Sequence, residues 1–124
     1  MTVMPQTVLI IEEDEATRHL YERALATTLV VLAPMVEVTW EIVAAHLPLQ
    51  AVVIEPGPIK SHGWDLIREL RRHPETRSTP VILCTAQDDR SQDQELGVSA
   101  HLVKPVLPTD LLAVIRGVLT DARS

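Results

Sequence analysis

The 124-residue sequence has no phenylalanine, one tyrosine, one cysteine and no run rich in lysine or arginine. Each absence narrows the field. A lone Cys84 cannot close an internal disulfide, and its place in the apolar run VILC suits a small buried side chain rather than a reactive thiol. A formal net charge of -6, spread along the chain, argues against nucleic acid, which needs a basic excess. No apolar stretch approaches the roughly 20 residues of a membrane span. The N-terminal MTVMPQTVLII lacks a positive start and reaches Glu12 and Glu13 too soon for a secretory signal. A cytoplasmic protein that touches neither nucleic acid nor membrane is the expectation. With no phenylalanine, Trp40 and Trp64 read as packing residues and as the fluorescence reporters.

Apolar residues make up 46% of the chain, enough at this length for one sizeable core, so residues 1–124 read as one domain. Five short apolar runs recur: Val8 to Ile11, Leu29 to Leu32, Val52 to Ile54, Val81 to Cys84 and Ala100 to Val103. Their hydrophobicity is continuous rather than alternating, which suits strands covered on both faces, as in a parallel sheet. Helical spacing fills the gaps. Asp14 to Thr27 places Ala16, Leu20 and Ala24 at four-residue steps, leaves Arg18, Glu22 and Arg23 for solvent, and offers Asp14 as an N-cap. Met35 to Leu47 puts Val36, Trp40, Val43 and Leu47 on one face. Trp64 to Arg72 carries Leu66, Ile67 and Leu70 before His73-Pro74 stops it. Asp88 to Leu96 is polar and weakly periodic, a short helix ending near Gly97. The last segment opens at Pro108, runs through Leu111, Leu112, Ile115, Val118 and Leu119, and gives way to the polar tail TDARS. Strand and helix alternate five times, and right-handed crossovers make a doubly wound α/β sandwich the natural architecture. The expectation is either a free-standing module or a piece of a larger regulator.

In open α/β sheets, ligands bind beyond the carboxyl ends of the strands. Glu12 and Glu13 follow the first run, Glu55 the third, Thr85 and Ala86 the fourth, Lys104 and Pro105 the fifth. Three carboxylates, a hydroxyl and an ammonium would share one edge. Oxygen ligands of this kind favour a hard cation such as Mg²⁺, with Glu12, Glu13 and Glu55 as its candidate holders. Lys104 and Thr85 suit phosphate oxygens.

VLIIEEDE, the Glu55 loop, PVILCTA and GVSAHLVKP follow one another in this order. On these motifs the chain resembles, over essentially its whole length, the receiver domain of two-component response regulators. The resemblance implies a flavodoxin-like (βα)5 sandwich with a five-stranded parallel sheet in the order 2-1-3-4-5. Glu12 and Glu13 match the acidic pair that holds Mg²⁺ in the family, usually two aspartates. Glu55 stands where the family has the aspartate that accepts phosphate from a histidine kinase. Thr85 matches the hydroxyl residue that follows the phosphate, Ala86 the small residue beside it, and Lys104 the phosphate-binding lysine. Lys104-Pro105 matches the family's usual cis peptide, and His101 its aromatic switch residue. Gly63 matches the glycine that closes the active-site loop, while the loop's proline comes one position early, at Pro58. The implied partners are a sensor kinase or a downstream output protein, met near the fourth helix, fifth strand and last helix.

All three acidic positions carry Glu in place of Asp, and each extra methylene moves a carboxylate outward by about 1.3–1.5 Å. In-line phosphoryl transfer depends on positioning, and a misplacement of about 1 Å can cost on the order of 100-fold in rate. The longer arm of Glu55 also reaches toward the space a phosphoryl group would fill. The reading that follows is a pseudo-receiver, not an enzyme, that works through protein contacts with Glu55 as a partial imitation of phosphoaspartate. The alternative is a working receiver that takes phosphate on Glu55 with Mg²⁺. A Mg²⁺-dependent phosphoryl-transfer enzyme needs a second acid near Glu55, which PGPIKSH does not supply. A flavin carrier needs hydroxyl- and glycine-rich loops where this chain has EEDEA. His101 reads as a partly exposed strand residue, with a proton-sensitive switch as the alternative. His19, His46, His62 and His73 lack metal-ligand spacing and read as surface residues.

Overall fold

The computed structural model describes residues 6–35, 37–58 and 61–123. Its elements alternate as β1 (Thr7–Ile11), α1 (Glu15–Leu25), β2 (Val30–Leu32), α2 (Trp40–Ala45), β3 (Ala51–Ile54), α3 (His62–Arg72), β4 (Val81–Thr85), α4 (Asp93–Leu96), β5 (Ala100–Val103) and α5 (Pro108–Arg123). The five strands form one sheet in the order β2-β1-β3-β4-β5, and every pairing is parallel. This is the flavodoxin-like arrangement expected. Among the described residues no helix is long and apolar enough to cross a membrane.

Strand alternation divides the core into two layers. Leu9, Val52, Ile54 and Leu83 point to one face, where Val43 of α2, Ile67 and Leu70 of α3 and Leu96 of α4 cover them. Val8, Ile10, Val53 and Ile82 point to the other, under Tyr21 and Leu25 of α1 and Leu111 and Ile115 of α5. Continuous apolar runs are the sequence form of this double covering. Each fully buried Leu or Ile stabilises the fold by about 1.5–3 kcal/mol. Cys84 lies in the second layer, and burial pushes its thiol up to about 12, so it packs as an inert side chain.

The helices depart from their expected bounds for identifiable reasons. In α1 the buried residues are Arg18, Tyr21 and Leu25, and Leu20 is 53% exposed. Strict four-residue steps drift about 40° per step around a helix of 3.6 residues per turn, so Ala16, Leu20 and Ala24 do not hold one face. Arg18, expected in solvent, is instead 5% exposed. The Asp14 cap forms as expected, its carboxylate accepting from Thr17 N at 2.9 Å. Helix α2 begins only at Trp40, since Thr39 has extended backbone at φ -111°, and Val38 enters the core from the preceding non-helical segment. Val36, assigned above to the helix face, lies outside the described residues, as do Ile59 and Lys60 of the Glu55 loop. Trp40 is half-buried, stacked on the His73 ring at 3.6 Å between centroids, which takes His73 off the open surface. Helix α4 shrinks to four residues because Asp89 bonds Ser91 N and Asp88 bonds Arg90, local contacts that compete with a helix. Gly97, at φ 65°, ends it. Helix α5 runs on through the expected tail to Arg123.

Behind β3 the chain folds back on the first turn of α3. A Cβ on Gly63 would lie 2.4 Å from the carbonyl oxygen of Pro56 and 2.6 Å from its Cα. Those are backbone atoms with nowhere to go. Gly117 of α5 has nothing within 4 Å of the same added atom. Gly63→Ala is expected to lower unfolding stability by about 2–3 kcal/mol, and Gly117→Ala to raise it by about 0.5–1 kcal/mol. Urea unfolding midpoints of the two variants check this, and shifts of the same sign would sink the packing account.

Candidate functional site

The C-terminal ends of β1, β3, β4 and β5 meet along one edge, and four of the expected side chains form a connected set there. Glu12 directly follows β1 and its side chain is 4% exposed. Its Oε1 accepts from Lys104 Nζ at 2.5 Å and its Oε2 from Asp14 N at 3.1 Å. Glu55 directly follows β3, where its backbone N–H donates to Ile11 O at 2.9 Å and so continues the β1–β3 ladder. Its Oε1 accepts from Gly57 N and from Thr85 Oγ1, each at 3.2 Å. Its Oε2 is buried, has no hydrogen-bond partner, and lies 3.6 Å from Lys104 Nζ.

Lys104 is placed by backbone rather than by chance. Its N–H donates to Thr85 O at 2.8 Å, and the Lys104–Pro105 peptide is cis, as is Leu47–Pro48. Burial disfavours its ammonium, but the hydrogen bond to Glu12 and the charges of Glu12 and Glu55 outweigh that, and its pKa is raised above the ordinary 10.5.

The loop after β3 is shaped by short-range bonds. Gly57 sits at φ 78°, a left-handed conformation that glycine adopts freely. That turn brings its carbonyl to Trp64 Nε1 at 3.1 Å, and Ser61 Oγ donates to Pro56 O. A cavity of about 440 Å³ opens beside the site, with Glu12, Glu13, Glu55 and Arg18 in its wall.

The other expected residues fall elsewhere. Glu13 is exposed, and Ala86 is exposed beside Thr85. His101 is buried and faces α4, contrary to the partly exposed place expected for it; Asp93 and Gln87 supply the polar partners that let a histidine sit inside. Two contributors had no signal in the sequence. Arg18 Nη1 donates to Glu12 O at 3.1 Å, holding the end of β1 from α1. Asp93, a polar residue in a weakly periodic segment, meets His101 only through the fold.

The donor set matches a hard cation in type but not in arrangement. Among the described residues no three acidic, imidazole or thiol side chains are gathered where they could hold a metal ion. Lys104 already bridges Glu12 and Glu55, and Glu13 stands apart from the hydrogen bonds that join them. The residues do not fit a resident Mg²⁺ as they stand; a cation would have to displace the ammonium from a carboxylate.

A sequence profile of the family described as "Response regulator receiver domain" matches residues 8–116. The chain is 29% identical over 122 residues to response regulator Rre1 of Synechocystis, covering 93% of this chain and 52% of that protein. It is 32% identical over 116 residues to transcriptional activator protein IrlR of Burkholderia pseudomallei, covering 90% of this chain and 49% of that one. The chain thus spans about half the length of these two relatives. A putative response regulator from Chloroflexus aurantiacus superposes with a TM-score of 0.80 at 26% identity, over 94% of this chain and 99% of that one.

The Lys104–Glu12 pair makes its own prediction. The Lys104 side chain keeps 24% exposure, so Lys104→Met is expected to cost about 2–3 kcal/mol, less than the roughly 3–5 for breaking a fully buried pair. Because the folded pKa of Lys104 is raised, the pair's contribution is whole below the unfolded value of 10.5 and is lost as pH rises through the folded value. Urea midpoints of parent and variant should therefore differ by a constant amount from neutral pH up to 10.5 and converge above it. A gap that widens with alkali would contradict this.

Proposed function

The chain belongs to the response regulator receiver domain family, and from that membership we propose that it serves two-component signalling as a pseudo-receiver, with Glu55 as a fixed, partial substitute for a phosphorylated aspartate. One observation carries the reading. The Glu55 carboxylate already accepts the Thr85 hydroxyl at 3.2 Å and faces the Lys104 ammonium at 3.6 Å, and these are the two groups that the family uses to hold a phosphoryl group. The imitation is electrostatic and incomplete, since a carboxylate brings about one negative charge where a phosphoryl group brings nearer two.

On this reading the chain is a single module over residues 1–124, works in the cytoplasm, and is not an enzyme. Its output is contact with a protein, either a sensor kinase or a downstream output protein, through the face near α4, β5 and α5. Mg²⁺ has no required part, because Lys104 supplies the positive charge between Glu12 and Glu55.

A second reading rests on Glu55 Oε2. With no hydrogen bond of its own, that oxygen keeps a lone pair for attack on phosphorus, and the chain would then phosphorylate itself on Glu55 with Mg²⁺ bound by displacing Lys104. Incubation with labelled acetyl phosphate and Mg²⁺ separates the two. The pseudo-receiver should take up no stoichiometric label, whereas Glu55→Asp, with the shorter arm withdrawn by about 1.5 Å, should gain label and a Mg²⁺-dependent change in tryptophan fluorescence. Stoichiometric, acid-stable and base-labile label on Glu55 of the parent chain would establish the second reading instead.

A further inference from the structure

His101 is bonded to groups outside the phosphate site. Its side chain is 2% exposed, with Nδ1 2.8 Å from Asp93 Oδ2 at the start of α4 and Nε2 3.0 Å from Gln87 O in the preceding loop. A carbonyl oxygen only accepts, so Nε2 carries a hydrogen. An ionised carboxylate also only accepts, so Nδ1 carries one too, or the same proton sits on Asp93 Oδ2 and points back at Nδ1. In either form the pair holds one proton more than a neutral imidazole beside a carboxylate. That proton is shared across the 2.8 Å contact.

The segment it ties down is otherwise lightly held at its near end. Residues 86–91 are exposed, and α4 is four residues long. The far end is fixed by Arg71, whose Nε donates to Leu96 O at 2.8 Å and Nη2 to Gly97 O at 3.2 Å. At the near end the buried ring gathers Gln87 and Asp93 onto β5. Asp93 Oδ1 is buried with no hydrogen-bond partner, and among the described residues no lysine or arginine pairs with Asp93. The carboxylate therefore depends on the ring. The charged groups that face His101 are Asp93 from α4 and Asp89 from the loop, while β4 sets Leu83 in register beside it. Asp89 is held below the usual carboxylate range chiefly by its hydrogen bonds to Ser91, with His101 contributing less.

We propose that His101 and Asp93 form a proton-dependent clamp, in which one shared proton decides whether residues 86–96 are held against β5. Loss of that proton leaves Nδ1 or Nε2 as a bare acceptor opposite another acceptor, and one of the two bonds must open. The clamp closes when the proton is bound and releases as pH rises.

Hydrogen exchange at the amides of Asp93, Leu96 and Val98 reads the state of α4, since these donate to Arg90 O, Gln92 O and Asp93 O. Exchange rates, normalised to the intrinsic chemical rate, are measured from mildly acid pH upward until the His101 ring loses its proton, with the ring followed by the magnetic resonance of its nitrogens. Protection in the parent chain should fall by about tenfold or more in step with the ring. His101→Phe, which keeps an aromatic ring without a proton, should show protection that no longer follows pH, and Asp93→Asn, whose side-chain amide can turn to donate to a bare Nδ1, should keep its protection where the parent loses it. The clamp is overturned if parental protection ignores the titration of the His101–Asp93 pair, if His101→Phe keeps the parental pH dependence, or if neither Nδ1 nor the Asp93 carboxyl carries the extra proton at the acid end. The probe is the proton alone, so the outcome does not depend on whether Glu55 takes phosphate.

Discussion

One ammonium group organises the C-terminal edge of the sheet. Lys104 reaches from beyond β5 to Glu12 and Glu55, which end β1 and β3, at 2.5 and 3.6 Å. The two carboxylates are poorly hydrated there, with side chains 4% and 19% exposed. Like charges at such an edge repel by on the order of 2–4 kcal/mol, and the ammonium between them reverses the sign. It also draws together strands that are not all neighbours, since β5 is separated from β3 by β4. The backbone bond from Lys104 N to Thr85 O sets the lysine's position before its side chain acts.

The added methylene of Glu55 makes sense only against that ammonium. A strand-end carboxylate on a shorter arm would leave room between itself, the Thr85 hydroxyl and the Lys104 ammonium. Here the Glu55 carboxylate spans the distance to Thr85 itself and takes the Gly57 amide as a second donor. The same reach at Glu12 carries its carboxylate onto Lys104, leaving an ion pair where the family has a metal. Both changes push in one direction: each brings a carboxylate toward the same ammonium. On the proposed reading, a site so arranged lacks the room between these three groups that reversible phosphorylation uses.

The sequence disclosed the sheet almost completely and the helices less well, for a physical reason. Buried parallel strands announce themselves by unbroken apolar runs, and all five strands lie within a residue of the runs that named them. Helix phase is a subtler quantity. In α1, small alanines at four-residue steps mimicked a core face, while the face that is buried uses Arg18 and Tyr21, two residues with polar ends. In α4, apparent periodicity gave way to side-chain bonds within the loop. Strand-end positions are legible because topology alone carries them to one edge, which is why Glu12, Glu55, Thr85 and Lys104 could be named together. The partners of His101 were not legible. Whether a histidine on a strand faces solvent or a helix depends on an aspartate eight residues earlier, and no local pattern reports that contact.

The two polar clusters share one hinge of backbone. A hydroxyl has one proton to donate, and Thr85 Oγ1 commits it to Glu55, which leaves its lone pairs to accept Gln87 N at 3.1 Å. The carbonyl of the same residue, Gln87, accepts His101 Nε2 at 3.0 Å, and the ring continues to Asp93 at 2.8 Å. Donation therefore runs from Gln87 N through Thr85 to Glu55 on one side and from His101 Nε2 to the Gln87 carbonyl on the other. A more negative charge at Glu55 strengthens the Thr85 donor bond, and a proton at His101 separately strengthens the bond to the Gln87 carbonyl. On the proposed reading of Glu55 as a fixed charge, the proton proposed at His101 is the variable left at the α4 end, and the exposed loop of residues 86–91 is the surface it would govern.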